Sequence, residues 1–177
     1  MKRLLPVLTL FLLGTGTQAF AQATKGGGYT SGRNEVYINT GFLGIGSGSS
    51  QYDLGPGFNY VPLPKISWLQ IGGELTYQKL SYKGGSTKST MIVAGVTANL
   101  GGTGLNDDFF IELGIGIRSG SSDVTDGSDN PGGTGVAFLV GKRIPIGGAF
   151  SFRPSAGMIS GGSSQLIFRP LGLSYFF

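Results

Sequence analysis

Few side chains in this 177-residue chain can do chemistry, and none is an imidazole or a thiol, because histidine and cysteine are both absent. That removes every catalytic arrangement needing an imidazole base, every zinc site needing one, thiol nucleophiles, disulfides and lipid attachment through an N-terminal cysteine. Charged residues make up only 12% of the chain, so those set inside apolar, glycine-rich stretches stand out. They are Glu74, Glu112, Arg118, Arg153 and Arg169. Two carboxylates could act as the acid and base of a glycoside-cleaving pair, but that chemistry needs an open cleft around the substrate. The bland alternative is a structural network of ion pairs, since a charge left alone in a low-dielectric space is costly; a gate for small ions is the functional one. Glu112 and Arg118 lie on one strand about 20 Å apart, too far to pair. Glu74 and Glu112 facing Arg153 and Arg169 form the expected network.

Asp123, Asp126 and Asp129 recur at every third position. Calcium uses such oxygens, but the EF-hand needs ligands at alternate positions and a terminal glutamate, so a solvated acidic loop is expected and no metal site. Gly101-Gly102-Thr103-Gly104 lacks the strand–helix context and the lysine of a phosphate-binding loop and reads as a turn. No catalytic residue and no cofactor are expected, and the chain is read as a non-enzyme.

The first residues look removable. Lys2 and Arg3 precede an apolar stretch at 4–13, and Ala19-Phe20-Ala21 supplies a small-x-small site. This describes a secretory signal peptide over 1–21, cut after Ala21 or after Ala23, too short to span a bilayer as a helix. Without Lys2 and Arg3 the formal charge falls from +4 to +2, and no cationic run points to a nucleic-acid partner. Residues 22–33 read as a flexible lead-in, and 34–177 as one domain.

After Arg33 the sequence alternates with period two. In residues 109–118, Phe109, Ile111, Leu113, Ile115 and Ile117 share one face, against Phe110, Glu112, Gly114, Gly116 and Arg118 on the other. A slip of one residue would exchange the faces, so register is strongly specified. Eight strands are predicted, over 34–46, 51–61, 66–80, 89–100, 108–119, 134–144, 149–160 and 164–177. Val36, Ile38 and Phe42 are placed outward and Glu35, Tyr37 and Asn39 inward; the sixth strand is apolar on both faces.

A water-soluble sandwich would show about a quarter or more charged residues on its surface. Here the polar faces are Gly, Ser, Thr, Asn and Gln with single charges, which suits the crowded interior of a narrow barrel whose apolar face meets lipid. Strands of this length span a bilayer, and closure leaves no unpaired edge in hydrocarbon. The links at 62–65, 101–107 and 145–148 are short, while the longest, 120–133, falls on the outer side. The predicted fold is an all-β, closed, antiparallel, eight-stranded up-and-down transmembrane β-barrel.

Leu171-Gly172-Leu173-Ser174-Tyr175-Phe176-Phe177 ends in phenylalanine, with Tyr175, Leu173 and Leu171 at the alternate positions before it. This resembles the C-terminal signature of bacterial outer-membrane barrels, and residues 34–177 resemble the small eight-stranded class of the OmpA transmembrane-domain and OmpX type. The resemblance implies export to a bacterial outer membrane, lipid as the surrounding partner, and recognition of Leu173, Tyr175 and Phe177 by the barrel assembly machinery. It brings no enzymatic motif; barrel enzymes of that membrane rely on histidine. Counting back from Phe177 puts Arg169 on the lipid face, at a cost of about 2–4 kcal/mol at the midplane. A bulge at Arg169-Pro170 is therefore expected to reset the parity, with Leu166 and Phe168 outward and Arg169 inward. Three readings follow: a structural or surface-interaction protein acting through its outer loops, a narrow passive channel, or a periplasmic or secreted ligand-binding barrel.

Overall fold

The computed structural model of the chain describes residues 34–45, 49–63, 65–66, 68–101, 104–123, 132–160 and 164–177. The expected signal peptide, the lead-in, Asp126 and Asp129 lie outside the described residues.

Alternation becomes strand throughout. The strands are β1 (Asn34–Ile45), β2 (Ser49–Tyr60), β3 (Leu69–Tyr82), β4 (Gly85–Asn99), β5 (Phe109–Ser122), β6 (Gly133–Lys142), β7 (Ile144–Gly147), β8 (Phe150–Phe152), β9 (Ser155–Ile159), β10 (Gln165–Arg169) and β11 (Leu171–Phe176). They form one antiparallel sheet ordered β10-β9-β6-β5-β4-β3-β2-β1-β11-β8-β7. Among the described residues the helical element is a single 3-10 turn at Leu105–Asp107.

The all-β, antiparallel reading holds, but the strand count needs correcting. The paired order is open, ending at β10 and β7, and is not a ring of eight uninterrupted strands. Three interruptions divide the C-terminal third, at Arg143, Arg153-Pro154 and Pro170. Proline has no N–H for a ladder, which accounts for the last two. Strand ends also move: β4 begins at Gly85 and β5 runs to Ser122. Tyr82 pairs with Gly85, so Lys83-Gly84 is a two-residue turn where a longer link was expected. The Ser- and Thr-rich ends of these strands, 85–88 and 120–122, lie outside the predicted strands, yet Thr87 alternates inward like Ser89 and the residues after it.

Register explains the faces. Leu113 pairs with Val96 on one side and Phe138 on the other, all exposed, while Glu112, Thr97 and Leu139 form the adjacent buried row. In the C-terminal third, Arg169 pairs with Ser155, but Leu173 pairs with Phe152. Four residues forward on one side meet three back on the other, so one extra residue sits at Pro170, the β-bulge that the parity argument requires. Leu166 is exposed, Arg169 is fully buried, and Leu171, Leu173 and Tyr175 are exposed beyond the bulge. At the β7–β8 turn Gly148 has φ 54°, a left-handed conformation that favours glycine.

The sheet is inside out by the standard of a water-soluble protein. Glu35, Asn39, Gln70, Arg143, Arg153, Arg169, Ser151 and Ser174 have 0% exposure, whereas Ile92, Ile115, Ile117 and Leu166 exceed 65%. One part of the buried face is apolar: Met91, Val93, Ala137, Leu139, Ile159 and Ile167 form a small cluster. Residues 134–144, apolar on both faces, left this inward patch ambiguous.

Candidate functional site

The buried face carries a chain of linked charges, positioned by alternate residues of seven strands and by the breaks at Arg143 and Arg153. Glu35 of β1 is its hub. Arg143 donates to it from both Nε (2.9 Å) and Nη2 (2.6 Å), the bidentate fork geometry that charge-assisted pairs favour. Ser174 Oγ donates to the same carboxylate at 2.7 Å and Asn59 Nδ2 at 3.1 Å. Arg143 also donates to Asn99 Oδ1 and, at 3.0 Å, to Gln70 Oε1.

The network continues through Arg153, whose Nε lies 3.4 Å from Glu35 and whose Nη2 donates to Glu112 at 2.9 Å. Its guanidinium lies 3.9 Å from the Tyr37 ring centroid and 4.3 Å from that of Phe110, so two aromatic faces hold the cation as well. Gly57 makes room for this, because a Cβ there would overlap the Tyr37 ring. Arg153 Nη1 donates to Asn39 Oδ1 (3.2 Å), and Asn39 Nδ2 donates to Glu74 Oε2 (3.1 Å). Glu74 pairs with Arg169 Nη2 at 2.8 Å and accepts from Thr76 Oγ1 at 2.5 Å; Arg169 Nε also donates to Asp53 at 3.0 Å.

The structure thus brings Glu74, Glu112, Arg153 and Arg169 into one connected region, with Arg153 on Glu112 and Arg169 on Glu74. Arg118 sits apart, donating to Ser89 Oγ, Gln78 Oε1 and Gln165 Oε1 at 2.8–3.1 Å. Sequence reasoning missed three members: Glu35, Asp53 and Arg143. Alternation places Glu35 inward, yet the arginine partners of Glu35 and Asp53 lie more than 100 residues away, and no spacing rule reaches that far. Of the expected assembly residues, Leu173, Tyr175 and Phe177 share the exposed face, where the rings of Tyr175 and Phe177 stack at 6.0 Å and Phe150 lies 4.9 Å from Tyr175.

Most polar atoms of the site bond one another, although Tyr37 Oη, Gln70 Nε2 and Arg169 Nη1 are buried without a hydrogen-bond partner. Carboxylates and guanidiniums are spent on one another, and among the described residues no group of three or more Asp or Glu is placed to hold a metal ion. Asp123 is exposed at the end of β5, accepting a bond from Ser86 Oγ at 3.3 Å.

The Glu74 position makes a graded test. Glu74→Ala deprives Arg169, Asn39 and Thr76 of an acceptor, but Arg169 keeps Asp53. The expected loss is therefore about 1–3 kcal/mol, the cost of orphaned buried donors. It should appear as a lower urea midpoint, whereas Asp126→Ala should leave the midpoint unchanged.

No protein-family model matches the chain, and neither does any curated protein.

Proposed function

We propose that this chain is a non-enzymatic integral protein of a bacterial outer membrane, a closed barrel of eight staves with a lumen filled by its own side chains. Its role is structural or surface-interacting, through the loops on the side opposite the termini. The observation carrying the reading is the inverted burial: fully buried arginines and glutamate beside a broad exposed face of Ile, Leu, Val and Phe. Monomeric soluble proteins rarely expose contiguous apolar patches above a few hundred Å². In lipid the same face needs no cover.

The sheet closes on itself in this reading. Counting β6 with β7, β8 with β9 and β10 with β11 as single interrupted staves turns eleven segments into eight. Continuity of register supports this: Ala137↔Ile159, Gly141↔Ser155 and Ile144↔Phe152 step evenly through the breaks. Arg153 N–H donates to Gly172 O at 2.8 Å and Phe176 N–H to Ala149 O at 2.9 Å, adding bonds between the seventh and eighth staves. The eighth pairs with β1 from Glu35↔Phe176 to Thr40↔Leu171, and Gly41 then lies against the Phe168 carbonyl. An uninterrupted ring satisfies backbone groups that hydrocarbon cannot.

The filled lumen favours a plug over a pore, and a charged interior argues against an apolar ligand cavity. Membrane fractionation with gel mobility before and after heating tests the reading. The proposal expects the protein in the outer-membrane fraction, with a heat-dependent mobility shift; recovery as a soluble periplasmic protein would refute it. Planar-bilayer recordings should show no large steady conductance. One that Glu74→Ala leaves unaltered would favour the channel.

The terminal signature gives a second test. Deleting Phe177, or changing it to a charged residue, should lower folded yield in the outer membrane without altering export. Unchanged yield would remove the C-terminal resemblance as an argument.

A further inference from the structure

We propose that the outward face of the β3–β4 hairpin, through Lys79, Lys83 and Lys88, docks an anionic lipid headgroup bearing a phosphomonoester. The inference rests on the membrane reading above. Lys79 and Lys88 are direct partners in the ladder and both are exposed. Like charges directly opposite on one face of a sheet repel, so the arrangement is unfavourable unless an anion lies between them. Lys83 adds a third exposed cation in the two-residue turn. Among the described residues no carboxylate comes within ion-pair distance of any of the three. The described anion on this part of the rim is Asp123, whose N–H donates to Ser86 O, which places it diagonal to Lys88.

Position selects a lipid over other anions. The start of β1 and the residue after β11 define the opposite rim, where Asn34 N–H donates to Phe177 O at 3.0 Å. On β3 the outward residues run from Leu69 to Tyr77, and Lys79 is the next outward residue after Tyr77. A strand rise of about 3.3 Å per residue and a tilt of about 40° put Lys79 roughly 25 Å above Leu69 along the membrane normal, the height of a barrel's apolar band. The ammonium groups therefore reach headgroup level on the lipid side of the wall. Tyr52, paired with Lys79, and Tyr77 sit beside them as an interfacial aromatic belt would. Lysine recognises phosphate as a point charge, and its stem snorkels along apolar surface.

The test is calorimetric titration of the folded full chain, in neutral detergent micelles, with short-chain phosphatidic acid. Phosphatidylcholine of equal chain length and inorganic phosphate are titrated in parallel. Phosphatidic acid should bind in preference to both. The K79Q/K88Q double variant should lose about 30-fold in affinity and K79Q alone about fivefold, at about 1 kcal/mol per lysine near a charged surface. Lys65→Gln, at the opposite rim, should bind as the wild type does. Heat-dependent mobility verifies the fold of each variant, and K79Q alone decides the matter where the double variant does not fold. No preference over phosphatidylcholine, wild-type affinity in folded K79Q, or an equal loss in Lys65→Gln would overturn the proposal. Inorganic phosphate binding as tightly as the lipid would reduce the site to a free-anion site and also overturn it. A chain that folds in micelles without this preference sinks the docking surface alone, whereas one that stays folded and soluble without detergent sinks the membrane reading and this inference with it.

Discussion

Glu35→Ala is expected to cost about 3–5 kcal/mol of folding free energy, the largest effect of any substitution in the buried charge network. The reason lies in what remains. Arg143 loses both arms of its bidentate pair, Arg153 loses a carboxylate 3.4 Å away, and Ser174 and Asn59 lose their acceptor, all at residues with no more than 2% exposure. Breaking a buried pair from one side is expensive because the surviving charge stays buried without compensation; removing both sides is often close to neutral. Glu35→Ala/Arg143→Met should therefore recover part of the loss. Urea unfolding in zwitterionic vesicles, followed by fluorescence of Trp68, reads both numbers. A Glu35→Ala midpoint equal to the wild type would mean that the network does not hold the wall together.

Leu113→Arg is the second large effect, expected at about 2–4 kcal/mol. Leu113 is central among the outward residues of β5 and is 49% exposed. On a water-facing surface such a substitution stays within about 0.5 kcal/mol of neutral. At the middle of a bilayer it places a guanidinium in hydrocarbon. Lys88→Arg, near the rim, should be close to neutral in the same unfolding experiment. Equal, small effects at both positions would argue that water covers this face.

These expectations separate what could be read along the chain from what could not. The faces of β3, β4 and β5 were legible because alternation is local and a slip of one residue inverts it. The bulge at Pro170 was legible for a related reason: Arg169 stood on the wrong parity beside a residue unable to donate to a ladder. The network's partners were not, because Arg143–Glu35 and Arg169–Asp53 join residues more than 100 positions apart, and only the curl of the sheet brings them together. All three arginines of the linked network follow residue 133, and its four carboxylates, Glu35, Asp53, Glu74 and Glu112, come from the first five strands. That segregation is visible in the sequence once the network is known, and is not a rule that finds it. The inward apolar cluster was hidden differently. Where both faces of a strand are apolar, as in Val136–Val140, the period-two signal carries no inside or outside.

On the proposed reading, the exposed apolar face of the sheet meets lipid. The most direct measurement places a single tryptophan on that face, in a Leu113→Trp/Trp68→Phe variant refolded into phosphatidylcholine vesicles, and compares its fluorescence in ordinary lipid with that in lipid brominated near the chain ends. A lipid-facing tryptophan is expected to show blue-shifted emission and strong quenching by the brominated lipid. Emission typical of water-exposed tryptophan, with no quenching, would contradict it.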